Sequence, residues 1–472
     1  MYQRALVIGS IASVSFGNGF ILGQVASLVQ SLRRREEGIQ LTDGQISIIA
    51  GSLMIFNILG MALAAVVSDK VGRKWSFTIF SVPMMANYIV AYFAWDMPSL
   101  MLSRLLAGIA TGALFALKLC VTSEYVGPKT RAMFLNMIST LAPSIGSAAA
   151  HALGIVFHWR TVVLFGILTT ISGIILPFFW EESPHWLASK GKFEECEQAF
   201  RKLHGSTPNT EAELSLLLTV EKSKLEKAKK TNSMGTLKKL MIACKKKYFW
   251  DLMLLGVFIS AFIASAGKLA FSTLAVTIIQ EMTGSRDNIF GFTMVVDICV
   301  ILGAAASCLL IKKLSMRSML FTTGIIGIIV LVSLSACLYF KTNSVYFQWA
   351  NVSLLSFYFF IVKSGPYPIL EALLGEIYPI ELKVHFFFFS GIILMSSLAL
   401  TVLLLQVMVG AMGYHGLFLT NASIMGLSLS YIWLRLPETK GRTLQEIEIY
   451  FKTKNFHEID AVLSNEQVKA LI

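Results

Sequence analysis

Long apolar runs alternate with short polar turns along the whole chain, and that rhythm leaves it few ways to fold. Runs at 5–28, 46–68, 75–95, 101–125, 133–157, 161–180, 249–279, 291–311, 318–340, 348–374, 386–409 and 413–434 each match or exceed the roughly 20 residues that cross a bilayer as a helix. Lipid offers no hydrogen-bond partner to bare backbone, so all of them are expected to be helices. Soluble domains carry about 25% charged residues. This chain carries 14% against 55% hydrophobic. Its net charge of +12 resides largely in the loops, where it reads as an orientation signal and a contact for anionic lipid, with no nucleic-acid partner. The run from Ala5 is too long for a signal-peptide core and is taken as a retained span. None of the six cysteines has C-x-x-C spacing, and no paired carboxylates or nucleophile constellation is present. Neither metal, cofactor nor enzymatic activity is expected.

The turn Asp69-Lys70-Val71-Gly72-Arg73-Lys74 joins the second and third runs. Basic residues recur in every second loop, at Lys129 and Arg131, in the lysine-rich middle, at Lys312, Lys313 and Arg317, and at Lys383. By the positive-inside rule these loops and both termini are expected in the cytoplasm. Arg33, Arg34 and Arg35 depart from the pattern but are offset by Glu36 and Glu37. The organisation predicted is a bundle over 1–180, a cytoplasmic helical linker over 181–247, a second bundle over 248–434 and a tail over 435–472. In the linker, Phe193, Cys196, Phe200 and Leu203 fall on one helical stripe.

The two halves repeat one another. The Asp69 turn is answered by Lys312–Arg317, Glu124…Arg131 by Glu376…Lys383, and Glu182-Ser183-Pro184 by Pro437-Glu438-Thr439, each ~250 residues later. A parallel repeat of six spans is an architecture of secondary transporters, with the site between the repeats.

Together with Arg104-x-x-x-Gly108, Trp159-Arg160, Gly365-Pro366-Tyr367-Pro368 and Pro437-Glu438-Thr439-Lys440-Gly441, these pieces resemble the sugar porter family of the major facilitator superfamily across the whole chain. The long arginine-bearing first loop is most similar to the insect trehalose and hexose transporters. The resemblance implies an all-α membrane protein of twelve transmembrane helices in two six-helix pseudo-symmetric bundles, with short cytoplasmic helices between them. It implies a monomer in the plasma membrane that moves a sugar, trehalose or a hexose, by alternating access. It implies gating ion pairs on Asp69, Arg73, Arg104, Glu124, Arg131, Glu182, Glu376 and Glu438, to which the repeat adds Arg317 and Lys383.

The chain departs from the family where sugar is held. Ile263, Ala264, Leu269 and Val300 stand where the family has amides, Ile369 stands where it has a tryptophan, and its fifth-span glutamine falls near Ser139 or Thr140. Pro366 and Pro368 remain as cavity candidates. Several ionisable residues lie inside spans, among them Lys118, Lys268, Asp297, Lys363 and Glu371. Each costs about 3 kcal/mol at mid-bilayer unless it faces protein or water. Lys118 and Glu371 occupy near-equivalent places in the two halves and are expected to interact, with Lys268 in the same pocket. Asp297 is a candidate partner for Lys268, and His151 is read as a satisfied interior histidine. These charges give a second reading, an organic-anion transporter with protons as the coupling ion. A third is a non-transporting nutrient sensor. The partners expected are a small-molecule substrate and the lipid bilayer.

Overall fold

Each long apolar run closes into helix, and polar residues in the turns fix where it begins. The computed structural model describes residues 2–35, 39–126, 133–208, 247–284, 288–340, 344–376 and 383–437, with isolated positions between 210 and 222. The first half holds α1 (Tyr2–Arg33), α2 (Asp43–Val71), α3 (Arg73–Tyr92), α4 (Met97–Tyr125), α5 (Ala142–Val156) and α6 (Trp159–Ile175). Two short helices follow, α7 (Pro184–Ser189) and α8 (Phe193–His204). The second half holds α9 (Lys247–Ser265), α10 (Lys268–Thr283), α11 (Ile289–Lys313), α12 (Met316–Tyr339), α13 (Val345–Ser364), α14 (Pro366–Glu376) and α15 (Lys383–Arg435).

The capping residues follow the sequence. Thr42 and Gln45 form a reciprocal box at the start of α2, with the Gln45 amide donating to Thr42 Oγ1 at 3.3 Å and Thr42 N–H donating to Gln45 Oε1 at 2.9 Å. Asp96 and Ser99 do the same for α4. Among the described residues, ten helical stretches are long and apolar enough to span a bilayer. One of them, Phe389–Arg435, has 47 residues and contains two of the expected runs, bent at Gly413 where φ is +67°. With the 20-residue α3, the twelve expected spans are accounted for. The seventh span is α9 plus α10, interrupted at left-handed Gly267 (φ +73°). The tenth is α13 plus α14, interrupted at Gly365.

The helices pair in the same way twice. In the first half α1 packs on α5, α2 on α4, and α3 on α4 and α6. In the second half α9 packs on α15, α11 on α13, and α12 on α13 and α15. The halves meet where α2 lies on α15, α5 on α11 and α1 on α10. The first two of these contacts are two-fold mates, and the third lies on the axis between them. Close approach needs small residues: a Cβ at Gly112 of α4 would overlap the Asn57 backbone of α2. The outer surface is apolar, with Val66, Leu168, Leu309 and Leu427 more than half exposed. That is tolerable only in contact with lipid.

Of the predicted stripe of α8, Cys196, Phe200 and Leu203 are buried, while Phe193 is only half-buried; Ala199 joins them in the interior. Cys196, Ala199 and Phe200 pack with Leu187 and Ala188 of α7 and with Leu214.

Candidate functional site

A cavity of about 110 Å³ opens on the axis between the halves. Lys118 from α4, Lys268 from the start of α10 and Glu371 from α14 all line it, so the structure brings these three together. Lys118 is 3% exposed, with its Nζ 4.8 Å from the Phe115 ring centre. It lies within electrostatic reach of both Glu371 and Lys268. Glu371 Oε2 is buried with no hydrogen-bond partner among the described residues. The expected interaction is therefore one of shared space and not a closed ion pair.

Polar groups that the sequence did not single out complete the wall: Asn18, Asn57, Thr111, Ser272 and Tyr367. Asn18 Oδ1 and Ser139 Oγ are buried without partners among the described residues. Asn57, with its amide turned to suit its neighbours, donates to Gly108 O at 2.9 Å and Thr111 Oγ1 at 2.6 Å. Ser139 lines the cavity from within a π-helical turn at Met137–Leu141. Such turns often mark functional sites. Thr140 is 1% exposed but does not line the cavity. Pro366 and Pro368 do not line it either. They flank the start of α14 and leave Tyr367, between them, to face inward. Successive helical residues point about 100° apart, so neighbours do not share a face.

Tyr367 carries two lysines. Lys268 Nζ lies 4.6 Å and Lys363 Nζ 4.1 Å from its ring centre. The negative face of the ring favours a cation placed over it. Lys363 is fully buried, with no hydrogen-bond partner for its Nζ among the described residues. Beside it lies a smaller cleft, of about 20 Å³, lined by Lys268, Lys363 and Asp297.

Asp297 does not pair with Lys268 as expected. Its Oδ2 lies 2.8 Å from His151 Nδ1, and His151 Nε2 lies 2.9 Å from the Ser272 carbonyl oxygen. His151 is thus the satisfied interior residue that was anticipated. Its partners, however, belong to the other half of the molecule, and proximity in sequence gives no hint of them.

The turn between α2 and α3 anchors a compact cluster. Arg73 donates to Glu124 from Nη2 at 2.9 Å and from Nε at 3.1 Å. Ser183 Oγ donates to Glu124 Oε2 at 2.5 Å. Glu182 Oε1 accepts the backbone N–H groups of Arg73 (2.9 Å), Lys74 (3.3 Å) and Ser183 (2.8 Å), placing a carboxylate at the N-terminus of α3. Burial pushes the Glu182 carboxyl above its ordinary range, and the three amides only partly offset this. Gly72 has φ +99°, and a Cβ there would collide with the Glu182 carboxylate, so glycine is required twice over.

The other latch candidates scatter. Asp69 meets Lys190 at 3.1 Å on an exposed surface. Arg104 is fully buried, near Tyr88, and none of its nitrogens has a hydrogen-bond partner among the described residues. Arg317 donates to the Trp433 carbonyl at 3.0 Å. Arg131 and Glu438, and the side chains of Glu376 and Lys383, lie outside the described residues.

The family model described as "Sugar (and other) transporter" matches residues 6–451. Sugar transporter ERD6-like 6 of Arabidopsis thaliana is 25% identical over 465 residues, covering 95% of this chain and 90% of that protein. Facilitated trehalose transporter Tret1 of Culex quinquefasciatus is 23% identical, covering 95% and 85%. The proton:xylose symporter XylE, solved with 6-bromo-6-deoxy-D-glucose, superposes with a TM-score of 0.74 at 19% identity, over 94% of this chain and 99% of that one. The structural likeness gives the fold, two six-helix bundles of the major facilitator kind.

Proposed function

The chain belongs to the sugar (and other) transporter family, and on that premise we propose that it carries a sugar across a membrane by rocking its halves about the axial cavity. The observation that carries the reading is the cavity itself. Both halves supply its walls, and polar side chains from each half stand among an otherwise largely apolar lining. Residues 1–180 and 248–434 are the moving units, with 181–247 as connector. The basic loops put both termini in the cytoplasm, the plasma membrane is the expected location, and the monomer is the working unit.

A hexose or a disaccharide such as trehalose is the leading substrate, as the names of the relatives suggest. The amides missing at Ile263, Ala264, Leu269 and Val300 are answered elsewhere. Asn18, Ser139 and Glu371 hold buried oxygens without partners among the described residues, and Asn57, Thr111 and Ser272 stand beside them. Each buried hydroxyl of a sugar wants such a group. A second reading draws on the lysines: Lys118, Lys268 and Lys363 face one accessible carboxylate among the described residues, Glu371, because Asp297 is engaged by His151. That excess of positive charge favours a solute bearing an acidic group, with a proton as the coupling ion.

Uptake by proteoliposomes tests both. Radiolabelled trehalose or glucose should accumulate, and unlabelled sugar should compete. Inhibition by glucuronate but not by neutral sugar would favour the second reading. Lys118→Gln should abolish uptake at normal yield of folded protein. Uptake at the wild-type rate would remove Lys118 from the site.

A further inference from the structure

His151 stands on α5, five residues before that helix ends, on the side of the molecule remote from the Arg73 cluster. It is 1% exposed and reaches across the central seam to two elements of the other half. From α11 it meets Asp297, itself 4% exposed. From α10 it meets the Ser272 carbonyl and the edge of the Phe271 ring, whose centre is 5.9 Å away. The charge that acts on it directly is Asp297. Lys268 of α10 and Lys363 of α13 share a cleft with Asp297, and Arg33 of α1 is engaged by Glu281 of α10 at 3.6 Å.

The hydrogen bonds count protons. A carbonyl oxygen only accepts, so Nε2 must carry a hydrogen to bond Ser272. The remaining nitrogen, Nδ1, is 2.8 Å from Asp297 Oδ2. A neutral imidazole has no second hydrogen, and an ionised carboxylate has none at all. Two lone pairs would then face each other at hydrogen-bond distance in a dry interior. The contact closes only when one proton lies between Nδ1 and Oδ2, whichever atom owns it.

We propose that His151 and Asp297 form a proton-binding site that fastens the two halves together on this side of the molecule. It takes up one proton from water when the seam closes and releases it when the seam opens. The small apolar cluster of Ala26, Ile155, Val276 and Ile289 lies at the same seam and closes with it. This inference rests on the alternating-access reading but not on the identity of the solute.

Spin labels at Phe157 and Phe290, both exposed and on opposite halves at that end, report the seam on a cysteine-free background. Raising the pH between about 5 and 8, where histidine titrates, should shift the distance distribution from short to long. One pKa unit of difference between the closed and open arrangements corresponds to about a tenfold change in their ratio. Asp297→Asn can donate its amide hydrogen to Nδ1 as a protonated carboxyl would, so it should stay short at every pH. His151→Gln should lose the pH response. A wild-type distribution that ignores pH overturns the proposal, and so does a wild-type response in either variant. Failure to move any sugar, with the distances behaving as stated, would count against the transport reading and leave this one standing.

Discussion

Glu182 shows how much a motif reveals and where it stops. Its place in Glu-Ser-Pro was readable, and so was its nearness to Arg73. Its task was not. It accepts three backbone amides and caps α3, while Glu124 takes the guanidinium. Burial raises its carboxyl above the ordinary range, so the neutral form suits the fold better than the ion. The stability this gives is complete below the unfolded value and is lost as pH rises through the folded one. A glutamine at this position would keep an accepting oxygen and carry no charge. Compared with Glu182→Gln, the wild type should therefore lose thermal stability as pH climbs from the acid end of the carboxylate range towards neutrality. Melting curves in detergent across that range check the sign. The partner of His151 was less legible still. Asp297 is 146 positions away and on another helix, and periodicity within a segment gives no information about such a pairing.

At the scale of the element, the apolar stripe of α8 was plain because helical spacing is local, and Cys196 and Phe200 are buried as that spacing requires. The side facing the cavity was harder. The prolines of Gly-Pro-Tyr-Pro announce a helix break, yet Tyr367 is the residue that enters the cavity. Which of three neighbours points inward depends on how the break rotates the next turn, and composition does not record that. The docking of α8 can be tested through its cysteine. Burial, with the charge of Glu197 adding to it, pushes the Cys196 thiol up to about 11. Little thiolate is present at neutral pH, and maleimide should react slowly. Phe200→Ala removes a ring that holds the stripe in place, a loss of about 3–5 kcal/mol in a packed core. Alkylation of Cys196 should then accelerate, as mass spectrometry of the peptide would show. An unchanged rate would mean that the stripe does not depend on that ring.

For the whole molecule, the repeat read from three motif pairs appears as a repeat of helix contacts: α1 with α5 as α9 with α15, and α2 with α4 as α11 with α13. The spans and their order were legible because lipid penalises every polar residue in a run. The cavity walls were only half legible, since they are assembled from both copies and each copy has diverged. An even number of spans also makes a prediction about sidedness. Reporter domains fused to the two termini should be protected or labelled together in sealed cells, and the linker with them. Opposite sidedness would require an odd number of crossings.

The bond between Arg73 and Glu124, with Glu182 beside it, joins α3, α4 and the segment after α6, all parts of the first half. A rivet driven through one plate does not part when two plates swing. Damage at this cluster should therefore appear first as poor assembly, in the fraction of chains that reach the membrane intact, and only secondarily in how fast each surviving carrier turns over.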